Sequence, residues 1–253
     1  MAKAKNDKLA KTTKGGAITK WDEELAKHAM EAADKEQMPT GSFVSIRGGV
    51  LTIAGQAVKD NKLKAVIIDH CYENAYYEGE YDPEQPQPPV CYAFGRDDKE
   101  LKPHEKAAKP CSEMCEGCPN NQFGSAEKGK GKACKNIRRL ALISADGLNA
   151  NSAEKSELVY LKLSVMSCKG WAFYVKGLAA TLRRPPFGVV TEISVVPDVK
   201  AQFKVNFSVI GPVPDEVMGA VMERREKVMD EIMFPYSAPT EPVAKKPAGK
   251  RKF

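Results

Sequence analysis

Residues 95–135 are the part of the sequence that most limits how this chain can fold. The segment is rich in Gly, Lys, Pro and Cys and has few apolar residues, so it cannot bury a hydrophobic core of its own. A segment of this composition is either disordered or ordered by something other than apolar packing. The cysteines in and beside it are the candidates for that second source of order.

Four cysteines lie inside the segment and a fifth stands just before it: Cys91, Cys111, Cys115, Cys118 and Cys134. Cys115-Glu-Gly-Cys118 is a C-x-x-C turn, which directs two thiolates at one ion, and its glycine lets backbone N–H groups approach the sulfurs. Cys134 follows after fifteen further residues. Thiols bunched in a short, turn-rich stretch of a cytoplasmic chain are typical of a metal site rather than of disulfides. The pattern predicts a structural Zn²⁺ site.

A closed structural zinc site takes four ligands, and the C-x-x-C turn and Cys134 supply three of them. The fourth is Cys91 or Cys111, with His104 as a third candidate. We favour Cys91, because it would tie the inserted loop to the strand-like run that it ends, although Cys111 could join through a tight turn. The alternative without metal is a set of reduced thiols or a redox pair. Cys71 and Cys168 lie in apolar elements, and we expect them in the core.

Short strand-like runs dominate the rest of the body. They cover residues 43–47 and 50–54 around the turn Gly48-Gly49, then 63–77, 138–144, 157–165, 187–196 and 201–210. Helical periodicity covers 21–36, 167–182 and 215–233, the last capped by Asp215. We predict a mainly β (α+β) fold, an OB-like small β-barrel with a zinc-binding insertion at 91–139. The apolar stripes place Trp171, Phe203 and Phe207 in its core.

Positive charge is concentrated at the two ends of the chain. The net charge is +6, with +5 in residues 1–20 and +4 in residues 236–253, so the body between them is −3. We predict disordered basic tails at 1–18 and 235–253 around one nucleic-acid-binding domain at 19–234. Such tails often contact nucleic acid, and otherwise they only keep the chain soluble. No run of about 18 apolar residues and no secretory signal is visible, which predicts a cytoplasmic protein without membrane contact.

The densest basic run of the body is Lys128, Lys130, Lys132, Lys135, Arg138 and Arg139, with no acidic residue between them. Gly129 and Gly131 leave backbone amides open to phosphates, and a zinc ion would fix the run in space. We expect it to contact a nucleic-acid backbone, the alternative being a solvated charged loop. Lys204 and Arg183-Arg184 could also reach such a strand.

Aromatic side chains near this run are candidates for base stacking: Phe123, Tyr76, Tyr77 and Tyr92. Phe123 lies in a polar loop, where it either stacks on bases or packs on the zinc turn. Tyr76 and Tyr77 point to opposite faces of a strand, so at most one is in the core.

One stretch resembles a known family. It comprises Tyr76-Tyr-Glu-Gly-Glu-Tyr-Asp82, Pro89-Val-Cys91-Tyr-Ala-Phe-Gly95, Cys115-x-x-Cys118-Pro-Asn-Asn-Gln-Phe-Gly-Ser125 and Gly129-Lys-Gly-Lys-Ala-Cys134-Lys-Asn-x-Arg-Arg-Leu140. This pattern is similar to tailed-phage proteins taken to be zinc-containing, OB-fold single-stranded DNA-binding proteins. The resemblance covers about residues 40–210 and is specific from Cys91 to Leu140.

The resemblance implies that the fourth zinc ligand is Cys91 and that Cys111 is not needed. It also implies a protein that coats and protects single-stranded DNA in phage replication or recombination, in the host cytoplasm and beside other replication or recombination proteins. The C-terminal tail departs from the pattern of replicative single-strand binders. It keeps a terminal Phe253 but is basic instead of acidic, which weakens any inference that the tail recruits replication enzymes.

Other functional classes find less support in the residues. None of His28, His70 and His104 has a nucleophile at motif spacing, and no phosphate-binding Walker loop is present, so we predict neither an enzyme nor a small-molecule substrate. Asp69, Asp82 and Asp97-Asp98 could in principle bind Mg²⁺ in a nuclease. A zinc-ribbon adaptor that binds a replication or transcription protein would share the zinc site and would bind DNA weakly.

Overall fold

The structure is a computed structural model that describes residues 42–79 and 87–236, together with Leu25 and His28. The chain divides into two units, Met1–Pro39 and Thr40–Phe253. In the first unit Leu25 and His28 are helical, as predicted, and the rest of the predicted helix lies outside the described residues.

The second unit is described as far as Tyr236, two residues into the segment predicted as the C-terminal tail. The predicted tail 1–18 and residues 237–253 lie outside the described residues. No helix in the described part of the chain is long and apolar enough to cross a membrane.

In the described part of the second unit, nine strands form one sheet that curls into a half-barrel. They are β1 (Ser42–Arg47), β2 (Val50–Ile53), β3 (Gln56–Ala57), β4 (Lys62–Tyr76), β5 (Cys91–Gly95), β6 (Lys135–Ser144), β7 (Val159–Leu163), β8 (Val189–Asp198) and β9 (Gln202–Pro212). The order is β3-β2-β1-β7-β6-β4-β8-β9, with β5 also paired to β4. All pairs are antiparallel except β1 with β7. The predicted mainly β fold is confirmed.

Three α-helices accompany the sheet in the described second unit: α1 (Ala150–Lys155), α2 (Val165–Thr181) and α3 (Asp215–Glu231). Single 3-10 turns lie at Lys59–Asn61, Pro119–Asn121 and Pro186–Gly188. The two long helices match the helical periodicity of the sequence.

Strand β4 organises the sheet because it is fifteen residues long. One of its edges pairs with β6 along most of its length. Its other edge pairs with β8 over residues 62–66 and with β5 over residues 72–76. The C-terminal half of β4 therefore carries β5 and the start of β6, the two strands between which the cysteine-rich segment is inserted.

The hairpin predicted at Gly48-Gly49 is confirmed, with β1 paired to β2 and both glycines at positive φ (57° and 80°). Only glycine adopts this backbone conformation without strain. A Cβ atom on Gly49 would stand 2.5 Å from the Phe203 ring at the start of β9. The tip of the first hairpin thus packs against the strand at the opposite end of the curled sheet.

Two apolar layers cover the two faces of the sheet. On one face Val66 and Ile68 pack with α1 and with Val217, Val221 and Val228 of α3. On the other face Ile67, Leu140 and their neighbours pack on Trp171 of α2, with Phe207 half-buried beside them. The predicted core positions of Trp171 and Phe207 are confirmed.

Some local features differ from the sequence pattern. Helix α1 was not predicted, because its six mostly polar residues bury only Ala153 and leave no apolar stripe to read. It is held by a capping box in which Ser152 N donates to Asn149 Oδ1 (2.9 Å). Cys91 begins a strand instead of ending one. Asp215 is not the N-cap, since that position is Pro214 and Asp215 is the first helical residue.

Candidate metal centre and nucleic-acid surface

Five cysteines converge beneath the C-terminal half of β4. They line one cavity of about 20 Å³, whose wall also includes Asn74 and Tyr76 of β4, and they are Cys91, Cys111, Cys115, Cys118 and Cys134. The first lies at the start of β5 and the last directly precedes β6, so two strand ends and one loop bring them together. The residues that the sequence predicted as zinc ligands are therefore neighbours, and so is the alternative ligand.

The four favoured cysteines are buried, with exposed fractions of 7–9%, whereas Cys111 is partly exposed. Burial raises the pKa of Cys91 to about 11 and that of Cys134 to about 12. The surrounding thiols raise the pKa of Cys134 further, because a second thiolate nearby would repel the first. A divalent cation in the cavity would reverse this preference and favour the thiolate form.

The sulfur atoms of the five cysteines share one cavity but are not arranged around a common centre. Across the described residues no group of three or more His, Cys, Asp or Glu side chains has the geometry of a metal site as placed. The shared cavity shows that the backbone brings the thiols together.

Backbone hydrogen bonds hold the segment between β5 and β6. His104 N donates to Tyr92 O (2.7 Å), Cys115 N to Leu101 O (2.9 Å) and Cys134 N to Asn120 O (2.8 Å). Within residues 95–135 the buried apolar side chains are Leu101, Ala107 and three of the cysteines. The composition indicated no hydrophobic core of its own, and the segment buries only these few side chains.

The remaining candidate ligands lie elsewhere. The His104 ring stacks on Tyr92 (5.1 Å between centroids) and its Nδ1 accepts from Lys106 N (3.0 Å), so it does not line the cavity. Cys71 is fully buried in the core and Cys168 is half-buried against it, as expected.

The loop beside the cysteine cavity presents the predicted basic run. Lys128, Lys130 and Lys135 are exposed. Phe123 is 81% exposed, and the Lys132 ammonium stands 5.2 Å from its ring centroid while it donates to Asn121 Oδ1 (3.2 Å). Gly124 N donates to Gly131 O (2.9 Å), which closes the loop tip. We name the set of Phe123, Lys128, Lys130, Lys132 and Lys135 the basic loop; all are exposed except Lys132, which is half-buried.

Arg138 lies on one face of β6, where its guanidinium carbon is 3.5 Å from the centroid of the Tyr72 ring. The side chain is half-buried and donates to Ile137 O (3.0 Å). This pair forms a stacked cation and ring next to the segment that carries the cysteines.

Arg139 was predicted to contact phosphates, and that prediction is wrong. Its side chain is 1% exposed and its Nε donates to Glu73 Oε2 (2.7 Å), a carboxylate that is itself fully buried. Its Nη1 donates to both Ile232 O and Phe234 O (3.0 Å each). Successive residues of a strand face opposite sides, so Arg138 and Arg139 cannot share one surface.

The stacking prediction for Tyr92 is also wrong. Tyr92 is 2% exposed and packs against Phe94, His104 and Tyr236. Strand β5, which carries Tyr92, pairs with β4. The rings of Phe94 and Tyr236 lie there against the Arg139 guanidinium and cover its ion pair with Glu73. Tyr76 is half-buried at the wall of the cysteine cavity, and Tyr77, just past the end of β4, is 43% exposed.

A cleft of about 630 Å³ lies between the β1–β2 hairpin, the start of β6, the start of α2 and the β8–β9 hairpin. Its lining contains Lys135, Lys162 and Lys204, the Phe203 ring and no acidic residue. Lys162 is partly committed, because its Nζ donates to Tyr236 Oη (2.8 Å) and lies 3.7 Å from Glu73. Lys204 forms a half-exposed ion pair with Asp198 (3.2 Å).

Sequence reasoning missed this cleft as a site, although it noted Lys204 and the Gly48-Gly49 turn separately. The curl of the sheet brings the two hairpins together, and periodicity does not report curl. Lys135 belongs to both the cleft and the basic loop, so the two form one continuous positive surface.

Among the described residues, the aspartates proposed for a nuclease, Asp69 and Asp97-Asp98, belong to no group that could hold a metal ion. Asp69 is 5% exposed and its carboxylate is 2.6 Å from Arg96 and 3.9 Å from Arg225. Asp97 accepts from Lys99 N (3.0 Å), and Asp82 lies outside the described residues. Two guanidiniums beside Asp69 leave no place for Mg²⁺.

Comparisons of the chain with protein-family models, with curated proteins and with solved structures gave no match. The resemblance to phage single-stranded DNA-binding proteins therefore stays a prediction. The function has to be argued from the geometry of the cavity, the basic loop and the cleft.

Proposed function

We propose that this chain is a non-catalytic single-stranded DNA-binding protein whose basic loop is fixed by a structural zinc ion. The observation that carries the proposal is the cleft, which is lined by Lys135 and Lys204 and by no acidic residue, and which continues through Lys135 into the basic loop. In a body with net charge −3, such a local concentration of positive charge favours a polyanionic ligand.

The donor set fits zinc. Four buried thiols on one cavity, in a segment with very little apolar core, match the all-cysteine sites that order small loops. Cys91, Cys115, Cys118 and Cys134 would hold the ion, because they are the buried members of the five. The ion would supply the cross-link between β5, the loop and β6 that apolar packing does not provide.

The basic loop and the cleft offer the two kinds of contact that a single strand needs. Lys128, Lys130 and Lys135 are exposed for phosphates, and Phe123 presents a bare ring. Unpaired bases stack on such a ring with roughly 1–3 kcal/mol each, which bases inside a duplex cannot do. This difference supports single-stranded over double-stranded DNA.

The wider assignment combines the fold with the sequence resemblance. The curled half-barrel is compatible with the OB-like barrel predicted from the sequence, a fold that binds single strands across its concave strands. We assign the chain to the protection of single-stranded DNA in phage replication or recombination, in the host cytoplasm and beside other replication or recombination proteins. This assignment rests on the resemblance described above.

A zinc-ribbon adaptor for a replication or transcription protein is the second candidate, and the exposed Phe123 favours it. An aromatic ring exposed at the tip of a fixed loop is also a usual anchor in protein interfaces. The two candidates differ in their dependence on salt, since a protein partner releases few counterions.

Fluorescence anisotropy with labelled single strand, duplex and RNA, at two salt concentrations, tests the proposal on the full chain. We expect preference for single-stranded DNA and a steep fall in affinity with salt. A matched protein with glutamine at Lys245, Lys246, Lys250, Arg251 and Lys252 removes the contribution of the C-terminal tail. Weak binding with little salt dependence would instead favour the adaptor.

A further inference from the structure

The cysteine cavity holds one thiol more than a structural zinc site uses. Five cysteines line it, and a tetrahedral site takes four. The fifth, Cys111, is also the one that is partly exposed to solvent. We propose that Cys111 is a redox modification site: peroxide oxidises it, and it then forms a disulfide with Cys91 that removes a ligand from the zinc ion. This inference rests on the zinc site of the proposed function.

The backbone places Cys111 against Cys91. Lys109 N donates to Val90 O (2.8 Å), which lays the chain before Cys111 beside the start of β5. Cys91 and Cys111 both line the same cavity of about 20 Å³. The Cys111 thiol donates to Lys109 O (3.5 Å), within the stretch that is bonded to the start of β5. The two thiols are therefore neighbours on one small cavity, with Cys91 buried and Cys111 partly exposed.

The chemistry needs one peroxide and two thiols. The Cys111 sulfur attacks hydrogen peroxide, the O–O bond breaks, and the departing hydroxide takes up a proton as water, leaving a sulfenic acid. The Cys91 sulfur then attacks the Cys111 sulfur, the S–S bond forms, and the sulfenic oxygen leaves as a second water. Both thiols are oxidised and the peroxide is reduced, and a dithiol reductant reverses the change.

The consequence for the loop follows from which ligand is lost. Cys91 is the ligand on β5, and the other three lie between Cys115 and Cys134. Without it the ion keeps three thiolates and an open position, and the cross-link from the loop to the sheet is broken. Zinc would then leave, and the basic loop would lose its fixed position. A reducing cytoplasm keeps the pair open until an oxidant appears, as in other redox-sensing thiols.

The test uses the full, zinc-loaded chain treated with hydrogen peroxide. Zinc release is followed with a chromogenic chelator, and disulfides are mapped by mass spectrometry of tryptic peptides. We expect about one zinc released per chain together with a Cys91–Cys111 disulfide, and release roughly tenfold slower in Cys111→Ser. Cys168→Ser is the matched control, since this half-buried thiol does not line the cavity, and it should release zinc at the wild-type rate.

Each outcome decides the inference. Equal release from Cys111→Ser and the wild type, or a disulfide that maps to Cys115 and Cys118, would overturn it. Loss of zinc from untreated Cys111→Ser or Cys111→Ala would make Cys111 a ligand and not a spare thiol. A wild-type chain without zinc would refute both this inference and the zinc site. Zinc release with the expected disulfide, in a protein that binds no DNA, would keep the redox pair and refute only the DNA-binding proposal.

Discussion

Replacing Arg139 with methionine would leave the Glu73 carboxylate in the interior without its closest cation. Glu73 is fully buried and Arg139 is 1% exposed, and their charged atoms are 2.7 Å apart. The same guanidinium donates to Ile232 O and Phe234 O, so the change also frees two carbonyl groups that fix the chain after α3. Methionine fills a similar volume but loses the charge, the hydrogen bonds and the cation–ring contacts with Phe94 and Phe234.

The expected cost is about 3–5 kcal/mol, the usual range for removing one partner of a buried pair. The Lys162 ammonium lies 3.7 Å from Glu73 and compensates part of the carboxylate's charge. We therefore expect a loss of unfolding free energy towards the lower end of this range. Urea unfolding of the full chain, followed by circular dichroism, measures the loss. Arg138→Met is the matched control on the opposite face, and its loss should stay at about 1 kcal/mol, since it gives up one half-exposed cation–ring contact and one hydrogen bond to Ile137 O.

A double-mutant cycle sharpens this test. Adding Glu73→Gln to Arg139→Met removes the buried charge that the single change exposes, so the pair should cost less than the sum of the two single changes. The reasoning would be refuted if Arg139→Met kept wild-type stability and instead weakened DNA binding. That result would restore the surface role first predicted for Arg139.

Three further predictions concern the loop. Cys115→Ser should abolish zinc binding, because it removes a buried thiol of the C-x-x-C turn, whereas Cys111→Ser should keep about one zinc per chain. Elemental analysis measures both, and the opposite pattern would contradict the choice of ligands. Phe123→Ala should weaken single-strand binding by roughly 1–3 kcal/mol in anisotropy titrations and leave the salt dependence unchanged, and an altered salt slope would argue against stacking. Burial raises the pKa of Cys91 to about 11 and of Cys134 to about 12, so the metal-free thiols are protonated at neutral pH and zinc binding must release protons. Zinc affinity should therefore rise with pH and fall on acidification in competition titrations against a chelator, and a flat profile would mean that these thiols are not ligands.

Much of the sheet was predictable because its signals are local. The turn Gly48-Gly49 and the alternation of β7 each identify an element from fewer than ten neighbouring residues. The cysteine spacing likewise indicated a shared site, since a coreless segment leaves few other uses for bunched thiols. Tertiary contacts were not needed for these inferences.

The errors have a different origin. Arg138 and Arg139 are adjacent in sequence, and charge alone gives no reason to separate them. The strand alternation that buries Arg139 could have been read, but its partner Glu73 lies 66 residues away on β4. Tyr92 was assigned to the surface for a similar reason, because the aromatic cluster that buries it includes Tyr236 from beyond α3. Long-range pairing decides both cases.

The cleft shows the same limit at a larger scale. Its walls come from the first and last hairpins of the described unit, about 150 residues apart, and Lys135 lies between them. Each wall was predicted as a hairpin or strand, but the curl that makes them face each other is a property of the whole sheet. A sequence pattern of period two carries no information on that curl.

The central claim is that the cleft and the basic loop hold single-stranded DNA, and a salt titration of one double variant tests it most directly. Lys135→Ala with Lys204→Ala removes two cations of the cleft, and Lys227→Ala removes an exposed lysine of α3 outside it as the matched control. Anisotropy of a labelled single strand at several salt concentrations should show weaker binding by the double variant and a salt slope smaller by about 1.4, at roughly 0.7 per lost phosphate contact. The control should match the wild type. Wild-type affinity and slope in the double variant, or a loss seen only when the C-terminal tail is neutralised, would contradict the claim.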